Sequence, residues 1–147
     1  TTEIYTLSLH DALPICHTRS LLDMSARISG RADDRIKITE TAHLVGEYAR
    51  GVLTSKIAVR EKARAEVYNR LTASAAYARG HVDCKEVIQD EGQAQAVPIV
   101  DVRHPKAHVT HEAAIGSVDS KQLETLMARG LSEDDAVEVI IGGLLSR

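Results

Sequence analysis

A short motif repeats at a distance that constrains the fold of this chain. Tyr48–Gly51 reads Tyr-Ala-Arg-Gly, and the same four residues recur as Tyr77–Gly80, which lies 29 positions later. Repeats of roughly 20 to 50 residues are typical of stacked units in which each unit contacts only its neighbours. The spacing therefore predicts a solenoid with one coil per repeat.

Runs of alternating polar and apolar residues predict short strands within each coil. A period of two indicates a strand with one buried face. The runs are Arg35–Thr39, Lys56–Arg60, Ala65–Tyr68, Ile99–Val102 and Ala107–Thr110, with glycines or charged pairs between them. We predict a mainly β fold whose solenoid core covers residues 16–116, and an antiparallel sandwich is the alternative.

The composition excludes several classes of protein. The chain has four Tyr but no Phe or Trp, so its core must be aliphatic and it lacks aromatic platforms for stacking nucleic-acid bases. The net charge is −3, and basic residues are interspersed with acidic ones, which also predicts no nucleic-acid partner. No apolar run approaches the roughly 20 residues of a membrane helix. With two Cys and no secretory signal, we expect a cytoplasmic protein without a membrane partner.

The first fifteen residues, TTEIYTLSLHDALPI, have no clean periodicity. This string resembles a translated sequencing-adapter read-through. We expect residues 1–15 to be a non-native segment outside the fold, which leaves open whether Cys16 is native.

Residues 117–147 have a helical period and are predicted to form two helices. Asp119, with Gln122 three positions later, is typical of a helix start, and Gly130 suits a helix end. Ser132 is predicted to cap the second helix, because three acidic residues and a continuous apolar stripe follow it. The stripe consists of Val137, Ile140, Ile141, Leu144 and Leu145.

Cys84 is the first candidate for chemistry. Lys85 and a protonated His81 would favour its thiolate, which is the reactive and metal-binding form. Strand alternation places Cys84 on the face of Val82, opposite His81 and Lys85. A lone Cys is also often a small buried hydrophobe, so a purely structural role stays open.

A histidine cluster is the second candidate. His104, His108, His111 and Glu112 lie within nine residues and could bind Zn²⁺ or Fe²⁺. In a strand, however, His108 and Glu112 face one way and His111 the other. Phosphate-binding glycine loops, G-x-S-x-G and C-x-x-C are absent from the sequence, so we predict that the chain does not hydrolyse a nucleotide by itself.

Three ordered stretches resemble the C-terminal part of the SufB/SufD family, scaffold proteins of the SUF system of iron–sulfur cluster assembly. They are Tyr77–Cys84 (YARGHVDC), Ala107–Gly116 (AHVTHEAAIG) and Gln122–Gly130 (QLETLMARG). Residues 26–76 resemble the preceding part of that family more loosely, and residues 1–15 do not match.

The resemblance implies a right-handed parallel β-helix followed by C-terminal helices. It also implies a homodimer or a pair of SufB/SufD paralogues, a sulfur donor, and docking of the helices onto a SufC-type ABC ATPase. The docking residues would be Val137, Ile140, Ile141 and Leu144. A transient iron–sulfur cluster is implied as cargo, and flavin is associated with some complexes of the family but is not expected on this fragment alone.

The resemblance also assigns roles to three residues. Cys84 matches the Cys that receives sulfur and holds the nascent cluster, and Glu112 matches the acidic residue beside it. His111 matches the His that SufD contributes across the interface. Thiolate, carboxylate and imidazole are credible ligands for such a cluster.

The main hypothesis is therefore a non-enzymatic scaffold for iron–sulfur cluster assembly. One alternative is a metalloenzyme that uses His104, His108 and His111. The other is a purely structural solenoid that binds a protein partner. Whether the chain is SufB-like or SufD-like, and which cluster forms, stays open.

Overall fold

The computed structural model describes residues 4–8 and 14–146, which form nine strands and two helices. The strands are β1 (Ile4–Ser8), β2 (Ile15–Cys16), β3 (Leu21–Gly30), β4 (Arg35–Leu44), β5 (Arg50–Val59), β6 (Arg64–Ala73), β7 (Arg79–Ile88), β8 (Gln93–Val102) and β9 (His108–Gly116). The helices are α1 (Ser120–Met127) and α2 (Glu133–Leu145). Neither helix has the length and apolar composition that crossing a membrane requires.

The strands alternate between two parallel sheets as the chain winds. One sheet has the order β1-β4-β6-β8, with β2 also paired to β4, and the other has the order β3-β5-β7-β9. From β3 onwards, each paired residue lies opposite the residue 29 positions later, as Arg50 lies opposite Arg79. The fold is thus a parallel β-solenoid of about four coils, as the motif spacing predicted, and the sandwich alternative was wrong.

The repeated motif forms one corner of the coil. Tyr48 and Tyr77 both have φ of 61°, in the left-handed region, and their rings stack with centroids 4.9 Å apart. The alanine that follows each tyrosine is fully buried. A Cβ added to Gly80 would lie 2.5 Å from Leu71 Cδ2, so the absence of a side chain allows close packing at this corner.

The strands are longer than the sequence pattern predicted. From β3 to β9 they run nine or ten residues, and β3 itself was not predicted as a strand. The alternation in Arg35–Thr39 breaks at Glu40, yet β4 continues to Leu44 with Glu40 facing the interior. A polar residue at an inward position interrupts the hydrophobic period, so the pattern underestimates strand length.

Part of the segment expected to lie outside the fold forms a strand. The backbone of Ile4–Ser8 pairs in parallel with β4, from Ile4 opposite Arg35 to Ser8 opposite Thr39. Residues 1–3 and 9–13 of this segment lie outside the described residues. Its non-native origin stays a prediction.

The interior is aliphatic, as the composition required. The buried hydrophobic side chains of the described part are Ala, Val, Ile, Leu and Cys. They form two stacks inside the solenoid, one around Leu53, Leu71 and Val82, and the other around Ile38 and Ile57. Small and branched side chains from successive coils can stack in a narrow interior, where large rings fit poorly.

Both predicted helix starts are confirmed. The backbone N–H of Gln122 donates to Asp119, and that of Asp135 donates to Ser132. Gly130 has φ of 96° and lies in the turn that follows α1, whose C-cap is Ala128.

The apolar stripe of α2 packs mainly against its own solenoid. Val137 and Ile141 are 1% and 4% exposed and contact Ala58 of β5 and Val118. Val137 and Ile141, to which the resemblance assigned docking, are therefore covered by the solenoid of the same chain. Sheet and helix each bury an apolar surface by this contact, which fixes α2 on the outer face of the second sheet.

Candidate functional site

Strand β7 directs Cys84 into the solenoid. Val82 and Cys84 are fully buried, whereas His81 and Lys85 on the opposite face are partly exposed. The alternation predicted from sequence is therefore confirmed. Cys84 lies directly above Ser55 of β5 and below Ala113 of β9 in the stacked column.

Several buried polar groups surround the thiol. The Asn69 side-chain amide, from β6 in the opposite sheet, donates to Ser55 Oγ at 3.1 Å and to Cys84 Sγ at 3.5 Å. Glu40 and Glu86 also point inwards and are 3% and 2% exposed. Asn69 Oδ1, Glu40 Oε2 and both oxygens of Glu86 have no hydrogen-bond partner. The solenoid thus holds a polar cluster inside an otherwise aliphatic interior.

This environment disfavours the charged forms of the thiol and of both carboxyl groups. Burial raises the pKa of the Cys84 thiol, a hydrogen bond with Ser55 lowers it, and the nearby carboxylates raise it further. Burial also raises the pKa of Glu40 and of Glu86 to about 7, and for Glu86 the charge of Asp83 adds to this effect. Cys84 is therefore a protonated, enclosed thiol in this conformation.

Glu112 lies on the outer face of β9, opposite the residue of β7 that precedes Cys84. It stacks on Asp83 across β7 and β9, and its side chain is 62% exposed. The Lys85 ammonium lies 3.5 Å from the Asp83 carboxylate and 4.0 Å from that of Glu112. Lys85 thus offsets the repulsion between two stacked carboxylates.

His111 belongs to the inward row but is exposed. It pairs with the buried Val82 in register, so it extends the same column as the interior residues. It is exposed because β9 is the last strand of its sheet. His111 therefore lies at the open end of the solenoid.

The structure does not assemble the predicted ligands into one metal site. Cys84 and Glu112 face opposite sides of the sheet, and no group of three or more His, Cys, Asp or Glu that could hold a metal occurs among the described residues. The alternative set of His104, His108 and His111 is likewise not brought together. His104 lies in a turn, where its Nδ1 accepts a hydrogen bond from the backbone N–H of Lys106.

Sequence reasoning missed the buried partners of Cys84. Ser55 lies one repeat before Cys84, so the 29-residue period could have placed it beside the thiol. Asn69 stands between Val67 and Leu71 at an inward position, where a polar residue is unexpected. Its contact with Cys84 spans the two sheets, and no local pattern specifies that distance.

Fold and site together define a parallel β-solenoid protein with a C-terminal helical pair and an enclosed thiol among buried polar groups. Residues 15–144 match the family described as the SufBD core domain of SUF system FeS cluster assembly. The chain belongs to this family, as the resemblance had indicated.

Similar proteins carry the same family name. The chain is 40% identical over 126 residues to an iron–sulfur cluster assembly SufBD family protein of Methanocaldococcus jannaschii, covering 86% of this chain and 40% of that protein. It is 40% identical over 127 residues to one from Pyrococcus horikoshii, covering 86% and 39%. A Staphylococcus aureus member is 35% identical over 69 residues, covering 46% and 15%. The chain thus spans about two fifths of the length of these two archaeal relatives.

Proposed function

We propose that this chain is part of a non-enzymatic scaffold on which sulfur and iron are assembled into a nascent iron–sulfur cluster, with a SufC-type ATPase as partner. Cys84 receives sulfur and binds the cluster, and Glu112 and His111 serve as auxiliary ligands. The cluster is cargo that leaves the scaffold. Family membership supports the assembly process, and the position of Cys84 beside the open end of the solenoid supports the residue assignment.

The arrangement of these residues favours a site shared by two chains. Strand β9 is an edge strand, with unpaired backbone groups available to another chain. His111 and Glu112 are exposed on this strand, whereas Cys84 lies one strand further in. A second copy or a paralogue that pairs here would bring its own His111 equivalent towards Cys84 and Glu112. A site that takes ligands from two chains would account for Cys84 and Glu112 facing opposite sides of the sheet within one chain.

Anaerobic cluster reconstitution of the full-length protein tests the ligand assignment. We expect Cys84→Ala to lose the visible absorbance of the cluster and Cys16→Ala, which removes the other buried thiol, to retain it. Equal cluster absorbance in Cys84→Ala and wild type would contradict the assignment. A wild type that forms no cluster but still binds its protein partner would favour the purely structural solenoid instead.

The helical pair offers the docking surface for the ATPase. Val139 is 54% exposed, and Ile140 and Leu144 line a groove of about 990 Å³ between α1, α2 and β7. Val137 and Ile141, which were also predicted to dock, instead hold α2 in place. We therefore assign docking to the exposed side of α2, around Val139, Ile140 and Leu144.

A pull-down with the SufC-type ATPase tests this surface. We expect Val139→Asp and Ile140→Asp to lose binding, since a carboxylate in an apolar interface is costly to desolvate. Val45→Asp is the matched control, because Val45 is 42% exposed on the first coils of the solenoid. Full binding by the α2 variants would refute the assignment.

A further inference from the structure

Asn69 joins the two sheets at the level of the candidate thiol. Its side-chain nitrogen has two hydrogens, and the structure places one acceptor for each, Ser55 Oγ at 3.1 Å and Cys84 Sγ at 3.5 Å. Asn69, Ser55 and Cys84 are all fully buried. The amide therefore holds the sulfur from the opposite wall of the interior.

Packing alone does not account for an asparagine at this position. Its neighbours on the inward face of β6 are Val67 and Leu71, and its own Oδ1 has no partner. A buried amide with an unsatisfied oxygen destabilises a fold relative to an aliphatic side chain of similar size. We therefore explain Asn69 by the two groups that its amide nitrogen contacts, Ser55 Oγ and Cys84 Sγ.

We propose that Asn69, with Ser55, positions the sulfur of Cys84 and retains a second sulfur atom on it as a persulfide within the solenoid. This inference rests on the proposed function, in which Cys84 receives sulfur. N–H and O–H groups stabilise anionic sulfur, whereas ionised carboxylates at Glu40 and Glu86 would repel it. Asn69 and Ser55 are thus positioning residues that act through Cys84.

The chemical step needs a persulfide donor and no further reagent. The Cys84 thiol loses its proton as its sulfur attacks the outer sulfur of a donor R–S–SH, and the new S–S bond forms as the donor's S–S bond breaks. The leaving RS⁻ takes up that proton and departs as RSH. The outer sulfur moves with its proton, so no external oxidant or reductant is consumed. The S–S bond adds about 2.05 Å to the side chain, which keeps the transferred sulfur among the same buried groups.

Retention of sulfur on Cys84 tests the inference in the full-length protein. The protein is incubated anaerobically with glutathione persulfide, the donor is removed, and the mass of the peptide that carries Cys84 is followed over time. We expect Asn69→Leu to lose the added sulfur about tenfold faster than wild type, the ratio expected for one hydrogen bond to a charged group. Ser55→Ala should accelerate the loss to a smaller extent.

Matched variants separate positioning from a general loss of structure. Thr72→Val removes another buried polar group from β6 and should leave sulfur retention unchanged. Asn69→Asp keeps the side-chain size but replaces the NH₂ group by a carboxyl group, whose ionised form repels anionic sulfur, so it should accelerate the loss even if Asn69→Leu does not fold. In concentrated urea all variants should lose sulfur at the same rate, because the difference requires the folded interior.

The outcomes distinguish this inference from the proposed function. Equal rates of loss in wild type, Asn69→Leu and Asn69→Asp would overturn the role of Asn69, while sulfur on Cys84 would still support the scaffold. Absence of added sulfur on Cys84 in the wild type would overturn both.

Discussion

Glu40 provides a stability test of the buried polar cluster. It lies in β4, is 3% exposed, and its Oε2 has no hydrogen-bond partner. Burial raises its pKa from 4.5 to about 7. The neutral variant Glu40→Gln should therefore fold with the same packing but without a proton to lose.

The expected effect of pH follows from the direction of this shift. Since the folded protein binds the Glu40 proton more tightly than the unfolded chain does, the native state is favoured at low pH. This stabilisation is complete below the unfolded pKa and is lost as the pH rises through about 7. At 1.36 kcal/mol for each pH unit, the loss is about 3 kcal/mol for this one carboxyl group. Glu86 adds a similar contribution in both proteins, so the comparison isolates Glu40.

Urea unfolding monitored by far-UV circular dichroism at about pH 5 and about pH 8 measures the effect. Between these conditions, the unfolding free energy of Glu40→Gln should fall by about 2.5 kcal/mol less than that of wild type, because part of the full effect is already lost at about pH 5. Glu66→Gln is the matched control, because Glu66 is exposed on the outer face of β6 and should behave like wild type. An identical pH dependence in Glu40→Gln and wild type would show that Glu40 is hydrated or paired in the folded protein.

Three further substitutions test two glycine positions and one pair of ion pairs. Gly142→Ala should raise the unfolding free energy by up to about 1 kcal/mol, because α2 continues through this residue and its added Cβ would meet no neighbouring group within 4 Å. Thermal melts measure this change, and a lower melting temperature than wild type would contradict it. Gly46→Ala should destabilise strongly, since its Cβ would lie 1.9 Å from the Thr18 backbone nitrogen, whereas Gly116→Ala should have little effect. Glu138→Gln should lower the unfolding free energy by about 1 kcal/mol in low salt and by less in high salt. Glu138 is 41% exposed and forms ion pairs with Arg31 and Arg60 of the solenoid, and salt screens such pairs. A loss that does not depend on salt would argue against the ion pairs.

The solenoid could be predicted because the sequence patterns that specify it are local and recur along the chain. The Tyr-Ala-Arg-Gly corner recurs after 29 residues, and the same distance separates every paired residue from β3 to β9. Helix starts at Asp119 and Ser132 were likewise predicted, since a cap involves residues within one turn. Strand lengths were not, because inward polar residues such as Glu40 hide the alternation.

The candidate site could be predicted only in part. The side on which Cys84 faces follows from strand alternation, and resemblance to the SufB/SufD family identified Cys84, Glu112 and His111. Their placement on two faces at the open end of the solenoid depends on which strand is last in its sheet. The burial of Val137 and Ile141 against Ala58 depends on how α2 returns to the second sheet.

The amino-acid sequence by itself determined the coil length, the aliphatic interior, the helix caps and the inward direction of Cys84. All of these depend on a backbone period or on residues a few positions apart. Only the tertiary structure decided that Asn69 reaches Cys84 from the opposite sheet and that α2 covers its own solenoid. These contacts join segments that are distant along the chain, and their distances are determined by how tightly the two sheets and the helix pack together.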